Sequence, residues 1–235
     1  MQKTLASRLA EARRTIREHV ALSGRQDSDI TLMAVSKTRP YETILEAYEA
    51  GQRIFGENRV QEIVDKFPLP SERPTGMRLH LIGHLQSNKV RKVVPLVDAI
   101  DSVHSLRLAG QISCVAMERG RVMPILLEYN TSGESSKSGF TTEDDLFSAV
   151  EAISSLGGVK IRGLMTIGPL EGDEDAVRRA FRRLRSLRDE CIKRFPSQDF
   201  SVLSMGMSSD YPVAVEEGST LVRLGTTLFG QRETL

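Results

Sequence analysis

The segment Thr31-Leu32-Met33-Ala34-Val35-Ser36-Lys37 is a short apolar, β-branched run that ends in two polar residues. Three residues on, Pro40 opens a helical pattern carried by Ile44, Leu45 and Tyr48. A proline at a first helical position costs the helix no hydrogen bond it would have made. The segment reads as a β-strand feeding a helix, and the same unit recurs along the chain. Further strand-like runs fall near 53–56, 78–85, 97–103, 122–130, 160–167, 200–206 and 220–224, with helical patterns near 57–67, 86–96, 105–119, 141–156, 173–194 and 209–217. Ahead of them, Leu5, Leu9, Ala12, Ile16 and Val20 form one apolar stripe of an additional helix at about 3–21. Strands alternating with helices pair in parallel through right-handed crossovers. A closed eight-stranded barrel and an open doubly wound sheet both satisfy that rule. Eight strands in 235 residues favour closure, because such barrels typically run to about 250 residues. No Gly/Ser/Pro-rich linker interrupts the pattern, so residues 1–235 are expected to form one α/β domain, a single (β/α)8 barrel.

Composition narrows the function classes. Thirty-two basic against 31 acidic residues give a net charge of +1, so no global field draws the chain to nucleic acid or to an anionic membrane. The longest apolar run, Val122-Met123-Pro124-Ile125-Leu126-Leu127, is too short to span a bilayer. The first residues have no apolar signal-peptide core. Two cysteines, Cys114 and Cys191, fall within helical patterns and read as core packing in a reducing compartment. A cytoplasmic, globular protein is expected.

Barrels of this kind place their chemistry at the C-terminal ends of the strands. There the chain has Ser36-Lys37, Gly56-Glu57-Asn58, Gly83-His84, Asp101-Ser102, Tyr129-Asn130-Thr131, Met165-Thr166, Ser204 through Asp210, and Arg223 followed by Gly225-Thr226-Thr227. Lys37 shares parity with Met33 and Val35. Either it ends at the mouth of an apolar interior, where desolvation favours a neutral, nucleophilic amine able to form Schiff bases, or it closes the strand and points to solvent. Met205-Gly206-Met207-Ser208 and Gly225-Thr226 follow strands seven and eight, where backbone amides commonly build a phosphate site. Either motif alone reads as an ordinary turn; on adjacent strands the two favour a phosphate pocket. Arg223 is either a surface residue or an inward guanidinium in need of an acceptor. Taken together, a mouth lysine, a phosphate pocket and an inward arginine describe a pyridoxal phosphate site: the aldehyde on Lys37, the phosphate at Ser208, Gly225 and Thr226, the pyridine nitrogen at Arg223.

Seven ordered motifs then resemble the pyridoxal phosphate homeostasis proteins, the YggS/PROSC family. They are Ala34-Val35-Ser36-Lys37, Phe55 through Glu62, His80 through Lys89, Asn130 through Gly139, Gly163-Leu164-Met165-Thr166, Ser204 through Ser208, and Val222 through Thr226. The resemblance implies a barrel like the N-terminal domain of alanine racemase (fold type III), without that enzyme's second β domain, and a Schiff base of pyridoxal 5'-phosphate on Lys37. It implies that Asn58 and Met165 line the ring and that Ser208, Arg223, Gly225 and Thr226 bind as above. It further implies a monomeric carrier or regulator, in transient contact with apo forms of pyridoxal phosphate enzymes and without an established turnover. Tyr129 and Tyr211-Pro212 depart from the family pattern.

Two enzyme-class and ligand-class alternatives stand beside it: an amino-acid racemase, and a phosphosugar-binding barrel in which Lys37 only contacts its ligand. Racemisation needs a second proton-moving group, and no second domain is apparent in the sequence to supply one. An arginine at the ring nitrogen also makes the cofactor a poorer electron sink. Other signals carry less. His80 and His84 lack the partners of a metal site, and Gly133 through Ser138 lacks P-loop spacing. Lys137 is expected as a solvated loop lysine, though a second aldehyde-reactive amine there is an alternative. The arginines of 178–188 are expected as a solvated helix face. Tyr41 and Tyr48 are expected to pack, and Glu57 to belong to the pocket wall or to a first helical turn.

Overall fold

The computed structural model describes residues 3–134, 137–169 and 173–231, apart from the side chain of Ser28. Eight strands, β1 (Thr31–Val35), β2 (Ile54–Glu57), β3 (Arg78–Leu81), β4 (Ala99–Val103), β5 (Met123–Glu128), β6 (Val159–Met165), β7 (Val202–Ser204) and β8 (Leu221–Leu224), pair in sequence order and close into a barrel. Each pairing is parallel, including the β1–β8 seam, where Met33 stands opposite Arg223. The strands read as near-continuous apolar runs because both of their faces are covered. One parity, including Met33, Val35, Ile82, Leu126, Met165 and Leu221, fills the interior. The other, including Ala34, Phe55, Leu79, Ile100, Ile125, Leu164 and Val222, packs under the helices.

Those helices are α1 (Leu5–Leu22), α2 (Tyr41–Glu49), α3 (Val60–Lys66), α4 (Val90–Val93), α5 (Leu106–Glu118), α6 (Glu143–Ser154), α7 (Glu174–Arg194), α8 (Tyr211–Glu216) and α9 (Thr226–Phe229). Helix α1 buries the predicted stripe Leu9, Ala12, Ile16 and Val20, and His19 Nδ1 lies 2.6 Å from Glu216 of α8. Thr142 caps α6 by accepting from the Asp145 amide at 3.1 Å, and Asp173 caps α7 by accepting from Ala176 at 2.9 Å. A side-chain acceptor there satisfies an amide that the helix cannot. Among the described residues no helix is long and apolar enough to cross a membrane.

Four expectations change. The pattern at 86–96 is a 3-10 turn, Ser87–Lys89, and a single α-turn, Val90–Val93, because Pro95 has no amide hydrogen with which to extend it. The strand-like runs at 78–85 and 200–206 narrow to Arg78–Leu81 and Val202–Ser204. Cys191 is buried, but Cys114 is exposed, its thiol 3.7 Å from Glu118 Oε1. Arg178 and Arg182 do not simply face solvent: they bind Glu216 and Glu217 across the α7–α8 groove at 2.6–3.1 Å.

The β5–β6 pairing slips by one residue, from Ile125 opposite Ile161 to Leu126 opposite Gly163. Gly163 sits at φ +150°, and a Cβ there would lie 1.7 Å from the Val202 carbonyl of β7. Only glycine lets β7 close against this bulge. Gly163→Ala is expected to destabilise the fold by about 3 kcal/mol or more in urea unfolding.

Candidate functional site

A cavity of about 590 Å³ opens at the C-terminal ends of the strands. Lys37, Asn58, Ser208, Arg223, Gly225 and Thr226 all line it, with Val35 and Ile82 as part of its apolar wall. Six of the seven residues singled out in the sequence therefore meet on one surface. Met165 does not line it; it lies fully buried in the interior layer with Val35 and Ile82, and Ile167 takes a place on the wall.

Lys37 follows β1 by two residues, in a turn whose next residue, Thr38, adopts φ +64°. A non-glycine residue rarely takes that conformation, and neighbours must hold it there. Glu62 accepts from the Thr38 amide at 2.8 Å. Ser36, fully buried, donates its amide to Gly56 O at 3.1 Å and its hydroxyl to Glu57 Oε1 at 2.7 Å. Lys66 of α3 donates to both Ser36 O at 2.9 Å and Glu57 Oε1 at 2.5 Å. Burial pushes the Glu57 carboxyl up, against the pull of Lys66 and Ser36. Glu57 thus belongs neither to the cavity wall nor to a helical turn: it anchors the residue before Lys37.

Arg223 is 4% exposed. It donates to Ser204 Oγ at 2.6 Å and to Thr166 O at 2.8 Å. Burial lowers its pKa, and Asp101, Asp210 and Glu128 act in the opposite direction; an arginine remains charged throughout. Burial also pushes Glu128 up to about 7 despite Arg223, and its Oε2 has no hydrogen-bond partner among the described residues.

The loop after β7 turns sharply at Gly206, φ +96°, where a Cβ would meet that of Ala214 at 2.5 Å. Asp210 accepts from the Met207 amide at 2.6 Å. This delivers Ser208 to the start of α9, where its oxygen accepts from the Gly225 and Thr227 amides at 3.1 and 3.3 Å. Hydroxyls and strand-end amides from two loops are gathered as an anion would require. Across the mouth, Gly83 packs so closely that a Cβ would lie 2.2 Å from Asn58 O, and the buried Asn58 Oδ1 has no partner among the described residues. An amine, a guanidinium, gathered hydroxyls and an unsatisfied amide oxygen fit an aldehyde-bearing phosphate with an aromatic nitrogen.

The remaining residues fall elsewhere. Lys137, read as solvated, has its side chain only 11% exposed and donates to Glu134 Oε1 at 2.6 Å and Gly168 O at 2.8 Å. Its neighbours Ser135 and Ser136, part of the quoted motif, lie outside the described residues. His84 stacks on His104 at 4.6 Å, whereas His80 points inward to Asp101 at 3.2 Å. Tyr41 packs edge-on against Phe67, and Tyr48 bonds Thr75 O at 2.9 Å. Tyr129 is fully buried, its hydroxyl near Thr141 O and Arg183. Among the described residues no cluster of three or more potential ligands could hold a metal ion. Sequence reasoning missed Lys66, Glu128 and Ser204 as partners of site residues.

Two outcomes follow from this geometry. Lys66→Met leaves Glu57 buried without its cation and is expected to cost about 3–5 kcal/mol in urea unfolding; the double variant Lys66→Met/Glu57→Gln should recover much of it. The folded protein holds the Glu128 proton more tightly than the unfolded chain does. Its stabilisation is therefore complete at low pH and is lost as pH rises through 7. Glu128→Gln should abolish a fall of about 3 kcal/mol in unfolding free energy between pH 5 and 8.

The family described as alanine racemase, N-terminal domain, matches residues 7–233. The pyridoxal phosphate homeostasis protein of Vibrio cholerae is 43% identical over 212 residues, 89% of each chain. Among solved structures, PipY of Synechococcus elongatus with pyridoxal phosphate bound is 41% identical, covers 92% of this chain and all of its own, and superposes with a TM-score of 0.80. Alanine racemase of Clostridium difficile superposes with a TM-score of 0.73 at 13% identity, over 94% of this chain and 57% of the enzyme, a likeness of fold. The barrel and the span of the match agree with these relatives, and the chain belongs to the pyridoxal phosphate homeostasis proteins, within the family of the alanine racemase N-terminal domain.

Proposed function

We propose that the protein holds pyridoxal 5'-phosphate at the C-terminal mouth, bonded covalently to the Lys37 amine, and buffers or delivers it within the cell without turning over a substrate. The observation that carries this reading is the convergence of Lys37, Arg223, Ser208, Gly225 and Thr226 on one cavity. The homeostasis proteins and the pyridoxal phosphate complex of PipY support it from outside the chain.

When bound, the cofactor supplies an aldehyde for amines and an electron sink for carbanions. Lys37 holds the aldehyde carbon. Ser208, Gly225 and Thr226 bind the phosphate, Asn58 meets the ring, and Met165 supports it through the Val35–Ile82 layer. Arg223 donates a hydrogen bond to the ring nitrogen. Because a guanidinium keeps its protons, that nitrogen stays unprotonated and the sink is weak. Among the described residues lining the cavity, Lys37 and Arg223 are the only ionisable side chains. A racemase needs a second group that exchanges protons near neutral pH, and the described wall supplies none. The reading extends to a cytoplasmic monomer in transient contact with apoenzymes that accept the cofactor.

Borohydride reduction of the protein with pyridoxal phosphate, followed by peptide mass analysis, should place a stoichiometric pyridoxyl group on Lys37 and none in Lys37→Ala. Label scattered over surface lysines would overturn the covalent site. The loaded protein should show no α-proton exchange of L-amino acids in deuterated water above the free-cofactor rate; exchange at an enzymatic rate would establish a racemase-type enzyme instead.

A further inference from the structure

The opposite end of the barrel holds a second cavity, of about 740 Å³. Its wall takes residues from the start of all eight strands, from Thr31 of β1 to Leu221 of β8. The N-terminal end of such a barrel ordinarily serves stability, and a packed apolar plug would suffice for that. Here the cavity carries charge. Arg78 and Lys160 line it, and neither side chain makes a hydrogen bond or ion pair among the described residues, though Lys160 lies within the field of Asp199. Arg162, also on the wall, is bound to Asp199 at 2.8 Å.

The acids on the same wall are already engaged. Asp98 accepts from the Leu79 amide at 2.7 Å and lies 3.6 Å from Arg73. Asp29 accepts from the Gln26 amide at 3.1 Å. Asp101, 1% exposed, lies 3.2 Å from His80 Nδ1 through both its oxygens. That contact leaves Nε2 as the imidazole nitrogen with no partner among the described residues. Burial lowers the His80 pKa, but Asp101 and Asp98 act against it and the net shift is upward, which favours the imidazolium, the form in which Nε2 donates. The uncommitted groups are therefore two cationic side chains and the imidazole Nε2, while Ile54, Pro124, Leu126, Val202 and Leu221 supply apolar wall. Pockets for small ligands have this volume and this mixture of apolar wall with a few convergent polar groups.

We propose that this N-terminal cavity is a second binding site, for a small organic anion whose carboxylate or phosphate is taken by Arg78, Lys160 and His80 and whose carbon body lies on the apolar wall. The site is separate from the cofactor mouth and does not depend on it.

The test titrates inorganic phosphate and, separately, succinate into the protein at constant ionic strength, following the histidine side-chain resonances by 1H–15N NMR. Protein treated with pyridoxal phosphate and borohydride closes the upper mouth to the anions; untreated protein serves alongside it. Saturable shifts of the His80 resonances with either anion, with affinity falling at least tenfold in Arg78→Ala/Lys160→Ala, are expected. Saturation by phosphate alone assigns the site to phosphate esters; saturation by succinate as well extends it to carboxylates. Both substituted side chains are at the cavity rim, and an unchanged thermal melt confirms that the variant is folded. Shifts that stay linear with both anions, or saturation that survives the double substitution, would overturn the proposal.

Discussion

A guanidinium inside a parallel barrel has to be given acceptors, and much of this molecule is arranged around that demand. Arg223 enters the interior because β8 alternates and its neighbour Leu221 also points inward. Water cannot follow in quantity, so the strands on its flank end in polar residues: Ser204 on β7 and Thr166 just past β6, both fully buried. Thr166 is itself held by Tyr129 O at 2.7 Å and Thr131 Oγ1 at 2.9 Å. The charge also sets the company of acids within the barrel, Asp101, Glu128 and Asp210, each of which lies within its field. None of these would be tolerable in an apolar interior without the cation, and the cation would be intolerable without some of them.

The fold was legible because burial on both faces writes itself plainly into strand composition. Thr31–Val35 and its seven successors are short apolar runs at nearly regular intervals, and the α1 stripe Leu9, Ala12, Ile16, Val20 has helical spacing. Residues of the mouth were legible for a related reason: the end of a barrel strand has little use for Lys37, Arg223 or paired glycine–hydroxyl turns unless something is bound. What could not be read were relations between units. Glu57 and Lys66 are nine residues apart across a strand-to-helix turn, a separation with no period, and only the β1–β2 pairing brings Ser36 between them. Lys137 looks like any loop lysine until Gly168, from the next unit, supplies its acceptor. Cys114 erred the other way, since a helical pattern does not say which sector of the helix turns outward. Met165 has the right parity for the interior, but depth along the barrel axis is set by register and by the bulge at Gly163.

Fold and chemistry are also separable here. At 13% identity the barrel superposes on that of alanine racemase, so the arrangement of strands tolerates almost complete replacement of its side chains. Function lies in the few groups placed at its mouths. The described C-terminal wall is sparing in this respect, with an amine, a guanidinium, hydroxyls and amides.

The seam between β1 and β8 has a consequence for how the protein comes into being. Met33 and Arg223 are neighbours across that seam, so the lysine turn comes from the beginning of the chain and the arginine and Gly225-Thr226 from its end. During synthesis the lysine emerges early, yet the surface that would recognise a ligand does not exist until the last strand has left the ribosome and zipped against the first. Closure of that seam is thus the step that joins residues from opposite ends of the sequence on one cavity wall.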